Sequence, residues 1–207
     1  MRVISVNVGT AVDAEWAGKL KRTAIDKSAV TGRVEVRDNG LAGDERADMA
    51  NHGSPDQAVY AYAREDYDWW EGELGRDLPD GRFGENLTTS GLDVNGAMLG
   101  ERWRVGTALL EVTGPRIPCV VFRNWLGEPG WLKRFTQAGR PGAYLRVVER
   151  GHLGVGDPVE IVSRPESVTV AESFRAYHGD KELMRRILAV PGHTSTWDRA
   201  AERVLRT

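Results

Sequence analysis

Short alternating stretches dominate the first three quarters of the chain. Arg2–Val8 (RVISVNV) is rich in β-branched residues and ends at Gly9, which predicts a strand. Thr31–Arg37 (TGRVEVR) alternates polar and apolar positions and then meets Asp38-Asn39-Gly40, a strong turn signal. Ala58–Ala63 (AVYAYA) alternates small and large side chains, as a half-buried strand does. Trp103–Val112 predicts a hairpin turning at Gly106-Thr107. Ala143–Val148 and Val159–Val162 predict two more strands, with turns at Gly151 and from Gly154 to Gly156-Asp157. Helical spacing is scarcer. Within Arg64–Leu74, Tyr67, Trp70 and Leu74 fall on one face, and Cys119–Ala138 has helical spacing broken at Gly127–Gly130.

Many short strands, glycine-rich turns and few helices predict a mainly β domain over residues 1–163, a barrel or sandwich with helical insertions. Strands and helices do not alternate regularly and no long repeat is visible, which argues against a Rossmann-type sheet or a solenoid. The period changes at Ser163-Arg164-Pro165. Thr169 and Glu172 have capping-box spacing, and Val170, Phe174 and Tyr177 continue a helical face. Asp180 is placed to cap a second helix that stops before Pro191-Gly192, and Thr194 or Ser195 a third carrying Trp197, Ala201 and Leu205. Residues 164–207 therefore read as a three-helix tail, too small to hold a core alone and expected to dock on the β domain.

Composition narrows the function classes. The 207 residues are 41% hydrophobic and 28% charged, which excludes wholesale disorder. Twenty-eight basic residues against thirty acidic ones leave a net charge of −2, so no global field attracts nucleic acid. Apolar runs such as Ile117–Phe122 are far too short to cross a bilayer. The single cysteine cannot form an internal disulfide, and the N-terminus lacks a secretory layout; a reducing cytoplasm is the expected compartment.

Cys119 follows two prolines and lies three residues after Arg116, whose charge favours thiolate over thiol; a thiolate is both nucleophile and soft-metal ligand. A lone cysteine also serves as a small buried hydrophobe. Gly40–Asp44 and His52-Gly53-Ser54-Pro55-Asp56 are glycine-containing loops that either turn N–H groups towards an anion or simply make sharp turns. Glu85 and Asn86 follow Gly84: the acid suits proton transfer or a structural role, the amide a ligand or an Asx turn. His52, His152, His178 and His193 have no metal-binding spacing, so a structural zinc site is not expected.

Taken together, GLAGD (40–44), HGSPDQAVYAY (52–62), FGENLTTSG (83–91) and VTGPRIPC (112–119) resemble the MOSC family, named after the C-terminal domain of molybdenum-cofactor sulfurases. The likeness is greatest to its YiiM-like branch, which carries a three-helix C-terminal domain, and it covers nearly the whole chain. One departure is Ser54, where glycine is commoner. The resemblance implies a MOSC-type β-barrel of the kind also seen in a pyruvate kinase domain. It implies molybdenum cofactor as the bound group, with Cys119 as the metal ligand and catalytic residue. Asp44, His52, Gly53, Ser54, Asp56, Glu85, Asn86 and Arg116 are expected around the same cofactor. The activity implied is reduction of N-hydroxylated compounds, such as 6-hydroxylaminopurine and amidoximes. The alternatives are sulfur transfer by a Cys119 persulfide and non-catalytic cofactor binding or delivery. With no flavin, haem or iron–sulfur motif in the chain, a reductase would draw electrons from an external flavoprotein or ferredoxin-type donor.

Overall fold

The computed structural model of the chain describes residues 1–49, 53–190 and 193–206. Eight strands form the main sheet. In spatial order they are β13 (Val159–Ser163), β9 (Arg102–Val105), β10 (Ala108–Pro115), β11 (Ala143–Glu149), β7 (Val59–Ala63), β8 (Leu87–Ser90), β1 (Arg2–Val8) and β4 (Ser28–Ala29). Neighbours are antiparallel except β7 and β8, whose parallel pairing needs a crossover. Helix α1 (Arg64–Leu74) supplies it. The sheet rolls up until its two sides meet. There the contact is a single bridge, Arg2 with Pro158, backed by Val3 N–H to Asp157 O at 2.9 Å and Gly156 N–H to Val3 O at 2.9 Å. This is the expected mainly β, barrel-like fold, joined at its seam by single bonds and not by a continuous ladder.

Two small sheets accompany the barrel. One is β12 (Gly151–Gly154), β5 (Arg33–Arg37) and β6 (Gly40–Leu41); the other is β2 (Val12–Asp13) with β3 (Arg22–Thr23). The β5–β6 hairpin turns on Asp38-Asn39, as the sequence predicts. Gly40 is required there: its φ is +122°, and a Cβ would sit 2.5 Å from the Ala58 carbonyl.

Two segments differ from the sequence reading. Gly151–Gly154 is a strand, so Gly151 opens a strand where a turn was expected, while the turn from Gly154 to Gly156-Asp157 is present, closed by Asp157 N–H to Gly154 O at 3.2 Å. A Cβ on Gly151 would lie 2.6 Å from Ala108 N, so this glycine serves close approach to the β9–β10 hairpin. Leu87–Ser90 is an interior strand of the sheet. Leu87, Thr88 and Thr89 are all buried, so no alternation betrays it.

Cys119–Ala138 does divide into two helices, α2 (Val120–Leu126) and α3 (Trp131–Ala138), with Gly127 and Gly130 both left-handed between them. The tail holds α4 (Val170–Tyr177), α5 (Lys181–Ala189) and α6 (Ser195–Arg206). Thr169 and Glu172 form the expected capping box, and the Asp180 side chain caps α5 through Leu183 N.

Two apolar clusters hold these parts together. The first runs from sheet residues such as Val3, Leu110 and Leu145 without a break into Met184, Ile187 and Trp197 of the tail. The second is aromatic: Tyr62, Tyr67, Trp70, Phe83, Phe122, Trp131 and Phe135. Trp70 and Trp131 lie 4.6 Å apart and Tyr67 and Phe83 4.7 Å, contacts worth about 0.5–1.5 kcal/mol each beyond their buried area. This cluster fastens α1, α2 and α3 to the sheet and so fixes the residue at the start of α2, Cys119.

Candidate functional site

Cys119 is the N-cap residue of α2, half-buried and facing a cavity of about 620 Å³. Extended backbone from Pro115 carries the chain out of the sheet to this point, and Arg116 lies on the way. Arg116 is 6% exposed. Its Nη1 donates to the Phe83 carbonyl, and its guanidinium stacks 4.0 Å above the Phe122 ring. Burial works against its charge, but Tyr60, Tyr144 and Cys119 outweigh burial, so Arg116 stays a cation. Gly84 makes this packing possible. It has φ +76°, and a Cβ would press on Ile25 at 2.9 Å, with Arg116 Nη1 3.7 Å away.

The floor of the cavity is a polar network. Asp44 Oδ1 accepts from Gly9 N at 2.8 Å and pairs with the buried Lys27 ammonium. Asp44 Oδ2 accepts from Asn86 Nδ2 at 2.9 Å. Burial lowers the Lys27 pKa, and the Asp44 charge resists that shift. Asn86 has every polar atom engaged: Nδ2 also donates to Asn7 O at 3.2 Å, and Oδ1 accepts from Tyr60 N at 3.0 Å. The lining residues include five basic side chains, Lys19, Arg22, Lys27, Arg46 and Arg116, against three acidic ones, Asp44, Glu45 and Asp48. The net positive charge suits an anion such as a phosphate.

Of the residues expected from the sequence, Asp44, Asn86, Arg116 and Cys119 line one cavity. Glu85 does not. It is fully buried beneath the wall, accepting from Tyr67 Oη at 2.7 Å, Thr88 Oγ1 at 2.8 Å and Gly81 N at 2.5 Å. Burial pushes its carboxyl above the usual range against those three bonds. Gly53, Ser54 and Asp56 also lie off the lining. Ser54 caps the 3₁₀ turn Pro55–Gln57 through Asp56 N at 3.2 Å, and at φ −62° it needs none of glycine's freedom. Asp56 faces Arg146 at 3.9 Å, and its carbonyl accepts from Thr113 Oγ1. His52 lies outside the described residues. In this stretch it is the next residues, Gln57 and Ala58, that reach the cavity.

Sequence reasoning missed Lys27, Arg46, Gln57 and Tyr144, all on the lining. For Tyr144 a signal existed: it alternates with the buried Ala143 and Leu145 on β11. Lys27 had none, because its partner is 17 positions away.

A half-buried thiol, a net cationic lining and neutral hydrogen-bonding groups around one cavity match the donor set that molybdenum cofactor needs. The thiol suits the metal, the cations suit the phosphate, and the amide and phenol suit the pterin. Among the described residues no group of three or more His, Cys, Asp or Glu side chains could hold a bare metal ion. No helix among them is long and apolar enough to cross a membrane.

Fold and site together define a barrel protein with a cysteine-bearing, anion-friendly pocket and a docked helical tail. Residues 48–160, more than half the chain, match the model of the MOSC domain, and the chain belongs to that family. It is 36% identical over 200 residues to the uncharacterized protein YflK of Bacillus subtilis, covering 94% of this chain and 90% of that protein. It is 33% identical over 193 residues to protein YiiM of Escherichia coli, covering 88% and 84% respectively. It is also 31% identical to a protein named reductase from Gibberella moniliformis, covering 98% of this chain but 37% of that longer protein. Among solved structures, YiiM from Geobacillus stearothermophilus superposes with a TM-score of 0.82 at 29% identity, covering 99% of this chain and 98% of that one.

Proposed function

We propose that this protein is a molybdenum-cofactor-dependent reductase of N-hydroxylated compounds. The observation that supports it most is the position of Cys119: the only thiol in the chain opens into the cationic cavity, beside the buried Arg116. When bound there, the cofactor supplies a metal centre that cycles by two electrons, which side chains cannot do.

The chain's own residues bind and orient. The Cys119 thiolate ligates the metal, with Arg116 nearby to favour the charged sulfur. Lys19, Arg22 and Arg46 take the phosphate side of the group, and the Lys27–Asp44–Asn86 network keeps the floor rigid. The reduction takes up two electrons and two protons, breaks the N–O bond, leaves N–H and releases water. The electrons come from a flavoprotein or ferredoxin-type donor.

The test is to produce the protein in a host that makes molybdopterin and measure molybdenum, pterin fluorescence, cyanide-labile sulfur and reduction of 6-hydroxylaminopurine. Stoichiometric molybdenum with donor-dependent reduction is the expected result. A labile sulfur without molybdenum would assign Cys119 to persulfide transfer. Bound cofactor without turnover would make the protein a cofactor carrier.

A further inference from the structure

We propose that Gln57 reads the hydrogen-bonding edge of a planar nitrogen heterocycle held in the cavity. The motivation is an unmet bond. Gln57 Oε1 is buried and has no hydrogen-bond partner. Among the described residues only two other buried side-chain atoms share that condition, Trp131 Nε1 and Ser167 Oγ, and neither residue lines the cavity. Gln57 does line it. A buried acceptor without a donor is costly and uncommon in folded proteins, so one carried by a residue that lines a large pocket points to a partner from outside the chain, which the amide turns outward to meet.

The backbone beneath Gln57 is well held. Gln57 N donates to Ser54 O at 3.0 Å, closing the 3₁₀ turn that Ser54 caps. The turn is pinned to the sheet by Thr113 Oγ1, which donates to the Asp56 carbonyl and also lies 3.0 Å from the Tyr144 carbonyl. The amide is thus carried on a fixed base, next to the strand that carries Tyr144.

Chemistry then selects the ligand. A carboxamide offers one acceptor and two donors side by side, and this pairs with an amino group next to a ring nitrogen, the edge shared by purines, cytosine-type bases and pterins. It is a poor partner for phosphate, whose oxygens its own carbonyl would repel; the cavity has cations for that end. Tyr60 and Tyr144, whose rings lie 5.2 Å apart, add aromatic surface to the same lining. The assignment deepens the reductase reading above by naming what the pocket recognises. The edge could belong to the cofactor's pterin or to an N-hydroxylated base as substrate, and the experiment separates these sources.

The test compares wild type, Gln57→Leu and Gln57→Glu, purified without cofactor. Each is titrated with free pterin and, separately, with 6-hydroxylaminopurine, and binding is read by calorimetry. Wild type should bind at least one probe, and Gln57→Leu should weaken that binding about tenfold or more. Loss for pterin alone assigns Gln57 to the cofactor; loss for the base alone assigns it to the substrate. Thermal unfolding provides the structural control: Gln57→Leu should melt at or above the wild-type temperature, because it removes an unsatisfied buried oxygen. No binding of either probe by wild type, or equal binding by all three proteins, overturns the assignment. So does a Gln57→Leu protein that loses binding only through a lower melting temperature while Gln57→Glu binds as wild type. Absence of molybdenum or of turnover would sink the reductase reading and leave these titrations interpretable.

Discussion

Asn86 Nδ2 sits 2.9 Å from Asp44 Oδ2, and through that bond the residue just before strand β8 holds the loop that pairs with Lys27. Asn86 also ties β7 through Tyr60 N and β1 through Asn7 O. One amide, at the entry to β8, therefore joins two strands and the cavity floor. The sequence offers Asn86 either a ligand contact or an Asx turn. Its saturated bonding gives it a structural task as well.

Asn86→Ala is expected to destabilise the protein by about 3 kcal/mol, since it strands a buried N–H, a carbonyl and a carboxylate oxygen. Urea unfolding measures this. A loss below about 1 kcal/mol, with cofactor binding gone, would return Asn86 to a pure ligand role.

Cys119→Ser should fold normally. Cys119 is the N-cap of α2 and makes no side-chain capping bond, whereas serine is a favoured N-cap residue. Its melting temperature should match or slightly exceed that of wild type, while molybdenum content and N-hydroxy reduction fall to background. Full activity in this variant would remove the thiol from the chemistry.

How much of this was legible in the sequence depended on the range of the interaction. The Gly106-Thr107 hairpin, the Asp38-Asn39 turn, the break at Gly127–Gly130 and the Thr169–Glu172 capping box are local, and the structure has all four. Strand β8 was not legible, because burial of Leu87, Thr88 and Thr89 erases the alternation that marks a strand. At the site, Cys119 and Arg116 stood out through their proline-bounded spacing. Lys27, Gln57 and Tyr144 join them only because β3–β4, β7 and β11 converge, and no spacing along the chain records that. Glu85 takes the structural alternative and not the cofactor contact that the resemblance implies, for the opposite reason: its three donors come from Tyr67, Gly81 and Thr88, and they turn the carboxylate inwards.

The tail should prove inseparable from the barrel. Trp197 of α6 donates from Nε1 to Thr113 O at 3.2 Å and lies over Gly114, where an added Cβ would come within 3.2 Å of the indole. Trp197→Ala should cost about 3–5 kcal/mol through the cavity it leaves, and Gly114→Val about 1–3 kcal/mol through overpacking. Both losses should appear in one cooperative unfolding transition. A separate early transition in the wild type would mean that the helices unfold independently.

The tail also carries a pH dependence whose sign can be worked out. His193 bonds through both ring nitrogens, Nε2 to Asp198 Oδ1 and Nδ1 to Val190 O, each at 2.9 Å. Both partners are acceptors, so the arrangement favours the doubly protonated ring, and the Asp198 bond raises its pKa above the ordinary 6.5. A raised folded-state pKa means that the stabilisation is fully present below about pH 6.5 and is lost as pH climbs through the folded value. His178 works the other way. Burial and then Arg203 lower its pKa, so its contribution is lost on acidification. The two histidines therefore offset each other in wild type, and the His193 effect appears only by difference. Subtracting the stability of His193→Gln from that of wild type at each pH from 5 to 8.5 should give a curve that is highest at the acid end and falls towards zero as His193 deprotonates. The effect should be small, because the ring is partly exposed, and it should shrink in high salt. A difference curve that rises with pH would mean that His193 is held neutral and that the Asp198 contact contributes no charge pairing.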